Sequence, residues 1–220
     1  DNAQPRIFFN NFQIDARNLY TYDALYRLIE AQGREHAGQL QYNCDNWNDC
    51  SFRRKYGPND SMAWRNYTQR YCYDSVGNIL TVKHLAQDDT ANNWTRQYQY
   101  AKASNRLLAT GMGAAPVEHY TDAPSLDFLY SYNVHGSMTR MPHLETMDWD
   151  FTEHLRHIAR TTKSQGEVGD ECPDASVEAW YRYDAAKERS RKRVEKKGGL
   201  VEERFYLGGF EIFRRSNGSG

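Results

Sequence analysis

Apolar and polar residues alternate over short runs of this chain, as in Tyr71-Cys72-Tyr73, Tyr98-Gln99-Tyr100 and Tyr181-Arg182-Tyr183. A strand turns successive side chains to opposite faces, so each run predicts a strand with two rings on one face. The Tyr-x-Tyr triplet occurs five times, at Tyr20/Tyr22, Tyr71/Tyr73, Tyr98/Tyr100, Tyr130/Tyr132 and Tyr181/Tyr183. The second tyrosine is followed by Asp23, Asp74, Ala101, Asn133 and Asp184 in turn, and four residues after it stand Tyr26, Gly77, Ser104, Gly136 and Lys187. An apolar segment then resumes, as in Leu28-Ile29, Ile79-Leu80-Thr81-Val82 and Leu107-Leu108.

Each unit reads as strand, turn, strand. Asp or Asn opens a turn by accepting hydrogen bonds from the backbone ahead of it. Gly77 and Gly136 supply a positive φ where the chain reverses. A single hairpin cannot bury its own face, so repeated units are expected to stack into one mainly β domain over residues 1–220. The spacing of the units is uneven, and residues 39–42 and 147–151 are predicted as strands of degenerate units in the longer gaps. Three stretches break the pattern and read as loop insertions: 43–70, 111–127 and 163–176. Short helices are expected at 61–69 and 152–161.

The segments Tyr20-Thr-Tyr-Asp-Ala-Leu-Tyr-Arg-Leu-Ile and Tyr71-Cys-Tyr-Asp-Ser-Val-Gly-Asn-Ile-Leu resemble units of the Rhs/YD-repeat family. So does Tyr132-Asn-Val-His-Gly-Ser-Met, with Asp148-Trp149-Asp150 after it, and Tyr206-Leu-Gly-Gly-Phe-Glu-Ile-Phe resembles the stretch near the end of such repeats. The likeness runs over nearly the whole chain and is closest to the Rhs regions of insecticidal toxin-complex B and C components. The resemblance implies antiparallel hairpins that form a curved, open sheet, part of a cocoon around a C-terminal toxic domain. It implies a structural shell role in a secreted or cell-surface toxin. The expected partners are further Rhs repeats of the same or a partner subunit, the enclosed toxin and, as an alternative, glycans. No residue matches the family's self-cleaving aspartate, so no enzymatic activity is expected of this segment.

Composition narrows the picture. Only 39% of residues are hydrophobic while 14% are aromatic, including 16 Tyr. Strands with half-wet faces suit that balance, and general disorder does not. The net charge of -1 gives no global reason to expect nucleic acid. No apolar run is long enough to span a bilayer, and the first residues do not read as a signal peptide.

Candidate chemistry is sparse, and neither a cofactor nor a metal is expected. Cys44 and Cys50 are spaced more widely than a zinc half-site, which leaves open a local disulfide or two independent loop thiols. His154 and His157, after Asp148 and Asp150, would share a face if they stood on a helix, yet the histidines are scattered along the chain. Asp23, Asp74 and Asp184 recur at one place in successive units, which argues for a recurring turn and not for one active site. The basic stretch 187–197 is interrupted by Glu188 and Glu195 and followed by Glu202-Glu203, a pattern for a hairpin whose opposite charges face each other. The tyrosines with Trp47, Trp64, Trp94, Trp149 and Trp180 are candidate platforms for a sugar, Trp47 and Trp94 the first to test, with packing of the sheet as the alternative. Asn66-Tyr-Thr68, Asn93-Trp-Thr95 and Asn217-Gly-Ser219 match a glycan acceptor pattern that matters only in a eukaryotic secretory route.

Overall fold

A computed structural model describes residues 5–36, 63–87, 93–142, 144–160, 177–196 and 198–217. Every regular element among them is a strand. They fall into two compact units, one ending at Phe128 and one starting at Leu129.

The first unit opens with a small hairpin, β1 (Ile7–Phe9) and β2 (Phe12–Ile14). A seven-stranded sheet follows in chain order: β3 (Leu19–Tyr22), β4 (Leu28–His36), β5 (Trp64–Tyr73), β6 (Ile79–Ala86), β7 (Trp94–Tyr100), β8 (Leu107–Met112) and β9 (Phe128–Leu129). Neighbours from β3 to β8 run antiparallel. The β1–β2 hairpin packs near β5, where Ile14 is fully buried and the Asn66 amide donates to the Gln13 carbonyl at 3.1 Å. Gly33 in β4 has no room for a side chain, since a Cβ there would stand 2.6 Å from Asn18 Oδ1 and 3.0 Å from the Tyr67 hydroxyl.

The second unit holds a two-stranded ladder, β10 (Ser131–Tyr132) with β11 (Met138–Arg140). Its main sheet has six antiparallel strands in chain order: β12 (Leu144–Trp149), β13 (Leu155–Arg160), β14 (Val177–Tyr183), β15 (Arg189–Lys196), β16 (Leu200–Leu207) and β17 (Phe210–Asn217). Both large sheets are open, with an edge at each end. Few apolar residues are fully covered, chiefly Ala31, Val82, Ala86, Tyr100 and Ala109 in the first unit and Ala179 and Tyr181 in the second. Buried Arg65, His84, Gln97 and Gln99 share the interior with them. That polar interior is why a low hydrophobic content still folds.

Several expectations need correction. Neither predicted helix forms. Residues 64–69 belong to β5 and 155–160 to β13. The end of the expected loop 43–70 is therefore strand from Trp64 onward. The Tyr130/Tyr132 doublet does not lie on one strand, because the chain breaks at buried Tyr130 between β9 and β10. The expected strand at 147–151 ends at Trp149, and Asp150 and Phe151 enter a turn. Residues 39–42, Cys44, Trp47, Cys50, Cys172 and the stretch 163–176 lie outside the described residues.

Candidate functional site

The recurring turn has one geometry. In the hairpins that begin at Asp23, Asp74, Asn133 and Asp184, the N–H of that residue donates to the carbonyl four residues on, and the N–H of the third residue on donates back to its carbonyl. The side-chain Oδ1 takes two more backbone N–H groups. Asp23 accepts from Leu25 and Arg27 at 2.8 and 2.9 Å, Asp74 from Val76 and Asn78 at 2.9 and 2.8 Å. Asn133 accepts from His135 and Ser137, and Asp184 from Ala186 and Glu188. The left-handed position falls on Gly77 and Gly136, but also on Tyr26 with φ 60° and Lys187 with φ 66°. The side-chain acceptor holds the turn firmly enough to impose that φ on residues with a Cβ.

Asp150 makes a further turn of this kind, which the tyrosine pattern does not reveal. It accepts from Thr152 and His154 at 2.8 and 3.0 Å, and Glu153 takes the left-handed position at φ 63°. Ala101 has no acceptor side chain, and there the loop is one residue longer, closing from the Ala101 N–H to the Arg106 carbonyl. Its Ser104 hydroxyl meets the Arg106 N–H at 3.4 Å as a weak substitute.

Each hairpin also carries a bulge at the same point, just before the second aromatic residue. The ladder slips at Thr21/Tyr22, Cys72/Tyr73, Gln99/Tyr100, Ser131/Tyr132, Asp148/Trp149 and Arg182/Tyr183. The extra residue lies on the return strand, at Ile29, Leu80, Leu108, Thr139, Arg156 and Ser190. Both aromatic rings of an unbroken doublet therefore stay on one face, while the return strand bends.

The second aromatic ties its hairpin to the one before. Tyr73 donates its hydroxyl to the Leu28 carbonyl at 2.8 Å, Tyr100 to Ile79 at 2.8 Å and Tyr183 to Leu155 at 3.0 Å. Trp149 does the same with its indole N–H to the Met138 carbonyl at 2.7 Å. The acceptor is always the first residue of the preceding return strand. Turns are linked as well, through Arg27 Nη1 to the Asp74 carbonyl at 2.7 Å and Asn78 to Asn105 at 3.2 Å. Replacing Tyr73, Tyr100 or Tyr183 by Phe is expected to cost about 1 kcal/mol each, because a half-covered carbonyl loses its donor while the packing is kept. Urea melts of the three single variants check this, and a Trp149→Phe variant should behave alike.

A polar cluster lies inside the first unit. Glu35 Oε1 accepts from Arg65 Nε at 2.8 Å and faces His84 Nε2 at 3.2 Å. His84 Nδ1 faces the Gln69 amide at 3.3 Å, and the imidazole is stacked between Tyr67 and Trp94, with ring centroids 5.4 and 5.2 Å away. A neutral ring with its proton on Nε2 satisfies both contacts. The ring of Trp94, offered by the sequence as a sugar platform, is thus engaged with His84 on one side. These groups satisfy one another, so the cluster reads as structural.

Segment 113–127 is strapped onto β7 by side chains. Gln99 donates to the Glu118 carbonyl at 3.0 Å and to Ser125 Oγ at 3.1 Å, and its Oε1 accepts from the Ser125 and Leu126 N–H groups at 2.9 and 3.1 Å. Gln97 donates to the carbonyls of Gly113 and Ala115. The far end of the strap reaches an earlier turn, where the Tyr120 hydroxyl donates to Asp74 Oδ2. Burial alone would push the Asp74 carboxyl up. Hydrogen bonds from Tyr120, from the N–H and amide of Asn78 and from the Gly77 N–H outweigh it and bring the pKa down to about 2. Asp23 and Asp150 are also held below the ordinary carboxylate range, mainly by the N–H groups of Arg27 and His154.

In the second unit, His157 stacks on Trp180 with centroids 5.1 Å apart, its nitrogens 2.9 Å from Asp148 and 3.2 Å from Glu178. Each carboxylate occupies a different ring nitrogen, which leaves no shared point for a metal, and no metal-binding cluster occurs among the described residues. His154 caps the preceding turn and packs on Tyr183, so the two histidines do not act together. The basic stretch forms β15 and pairs with β16 around Gly198 and Gly199, both at positive φ. Arg191 bonds Glu203 and Lys196 bonds Glu202 at 2.8 Å, so the two signs of charge face each other across the hairpin. Cys72 is a free, exposed thiol in β5.

No family model matches the chain. Among curated proteins, it is 29% identical over 214 residues to toxin subunit YenC2 and 27% identical over 217 residues to toxin subunit YenC1, both of Yersinia entomophaga. These are distant homologues. Each alignment covers 96% of this chain, but the chain spans only about a fifth of the length of these relatives, 20% and 19% respectively. The similarity to these toxin subunits thus takes in both units. No helix among the described residues is long and apolar enough to cross a membrane.

Proposed function

We propose that this chain is a wall segment of a larger toxin protein. Its hairpins stack as consecutive rungs of a shell that encloses a toxic domain, and the segment itself performs no catalysis. Further repeats of the same or a partner subunit continue the wall, and the assembled protein works outside the producing cell. The observation that carries this reading is the repeated tie from the second aromatic of one hairpin to the return strand of the hairpin before it. Such a tie is useful only where another hairpin precedes, which is the logic of an array. The open edges support it too. Leu19, Tyr20 and Tyr22 on β3 and Phe210, Ile212 and Phe213 on β17 are exposed apolar groups beside unpaired backbone.

The test is a concentration series of the 220-residue chain by size-exclusion chromatography with light scattering. The expected result is mass that grows with concentration and falls back when Phe210 and Ile212 are changed to Lys. A sharp monomer that resists both dilution and concentration would sink the wall reading. Intact mass after prolonged incubation tests the second part, since a discrete pair of fragments would show self-cleavage.

A further inference from the structure

We infer that His157 is a proton-dependent clasp on the joint between β13 and β14, a device that does not depend on the wall reading. That joint is the shortest ladder of the six-stranded sheet. Among the described residues three pairs hold it, His157 with Trp180, Ile158 with Ala179 and Ala159 with Glu178. The ladders on either side have five pairs toward β12 and seven toward β15. Besides its rungs, the joint is closed by the Tyr183 hydroxyl on the Leu155 carbonyl, by the stack of His157 on Trp180 and by the contact of His157 with Glu178.

The protonation state follows from what faces the ring. Asp148 Oδ2 lies 2.9 Å from Nδ1, and Glu178 Oε2 lies 3.2 Å from Nε2. An ionised carboxylate can only accept, and a neutral imidazole carries a single N–H. A neutral ring would satisfy one carboxylate and turn a lone pair toward the other, whereas the imidazolium donates to both. His84 in the first unit marks the contrast. Its second nitrogen faces the Gln69 amide, which can donate, so a neutral ring suffices there.

The surrounding charges decide which contact is given up. Asp148 stands opposite the ring on β12, and Glu178 reaches it from β14. On β15, Glu195 stands opposite Glu178 and Arg193 opposite Trp180, and on β13 itself Arg156 precedes the ring. Glu178 and Glu195 are thus like charges directly across a ladder, an unfavourable pairing. Arg193 bonds Glu195, and the imidazolium is the cation that bonds Glu178. When the ring gives up a proton, the shorter contact to Asp148 keeps the remaining N–H. Glu178 is then left between a lone pair and Glu195. The β13–β14 joint therefore loosens as pH rises, while β12 stays fastened to β13. The His157 side chain is 16% exposed, enough for its proton to exchange with solvent, and Asp148 and Glu178 are half exposed, which keeps the effect local and modest.

Two measurements on the whole chain test the clasp, at about pH 5.5 and about pH 8.5, on either side of the range in which histidine side chains titrate. Long-range proton–nitrogen NMR of histidine-labelled protein should show both His157 nitrogens protonated at the lower pH and only Nδ1 protonated at the higher. Amide hydrogen exchange, corrected for its intrinsic pH dependence, should show residues 155–160 and 177–181 opening about threefold more often at the higher pH, with β16 and β17 unchanged. Glu178→Gln removes the like-charge pair at a half-exposed position and should bring that ratio to about one in a folded protein. His157→Gln should do the same, and Glu178→Gln decides the matter if His157→Gln misfolds. A neutral His157 ring at the lower pH, opening that does not change with pH in the parent chain, or a ratio that survives Glu178→Gln would overturn the clasp.

Discussion

Replacing Gln99 by Leu should lower the stability of the first unit by about 3 kcal/mol, or roughly 6–12 °C in melting temperature. Gln99 is 2% exposed, and its amide makes four hydrogen bonds to the strap. Leucine fills a similar volume, so cavity formation is not the cause. The loss comes from the Glu118 carbonyl and the N–H groups of Ser125 and Leu126, which are left half-covered without partners. Because these groups lie in one segment, the damage should be local first. Limited trypsin digestion is expected to cut after Lys102 or Arg106, beside the loosened strap, at a denaturant concentration where the parent chain is intact. Unchanged melting and digestion would mean that the strap is held by something other than this amide.

The second large effect is expected at Asp74. Changing it to Ala removes the acceptor for Val76, for Asn78 twice and for the Tyr120 hydroxyl, at a cost of about 2–3 kcal/mol. The sign of the pH dependence follows from its pKa of about 2, below the ordinary aspartate value of 3.8. A carboxyl whose folded pKa is depressed contributes stability that is fully present above the unfolded value. That stability is lost as pH falls from about 4 through 2. Melts from pH 7 to pH 2 should therefore be flat above about pH 4.5 and fall steeply below it. Asp74→Asn keeps an oxygen for the two backbone N–H groups, as Asn133 does in its own turn. It should retain most of the stability at pH 7 and show a shallower fall in acid. An acid limb of unchanged steepness in that variant would remove Asp74 from the explanation.

The turn chemistry was legible in the sequence because it is local. An acceptor side chain, a reversal and a resumed apolar run all fall within about ten residues, and the side-chain period of two does the rest. What escaped depends on neighbours distant in the chain. Trp149 stands in for the second tyrosine because an indole N–H reaches the same carbonyl, an equivalence that a search for Tyr-x-Tyr passes over. The false helix at 61–69 arises because buried Arg65 and half-buried Gln69 share the face of Tyr67 and Tyr71, which hides the alternation. At 152–161, the bulge residue Arg156 set Leu155 and Ile158 three apart, which imitates a helical step. The left-handed conformations of Tyr26, Glu153 and Lys187 carry no glycine to announce them. The grouping of Trp180 with Arg182, Arg191 and Arg193 exists only once β14 and β15 are in register.

Within each sheet the antiparallel order sends every turn opened by Asp23, Asp74, Ala101, Asp150 or Asp184 to the same end of its strands. One rim is thus welded largely by side-chain acceptors, and a single residue inserted between Asp74 and Asn78 would unpick two rungs at once.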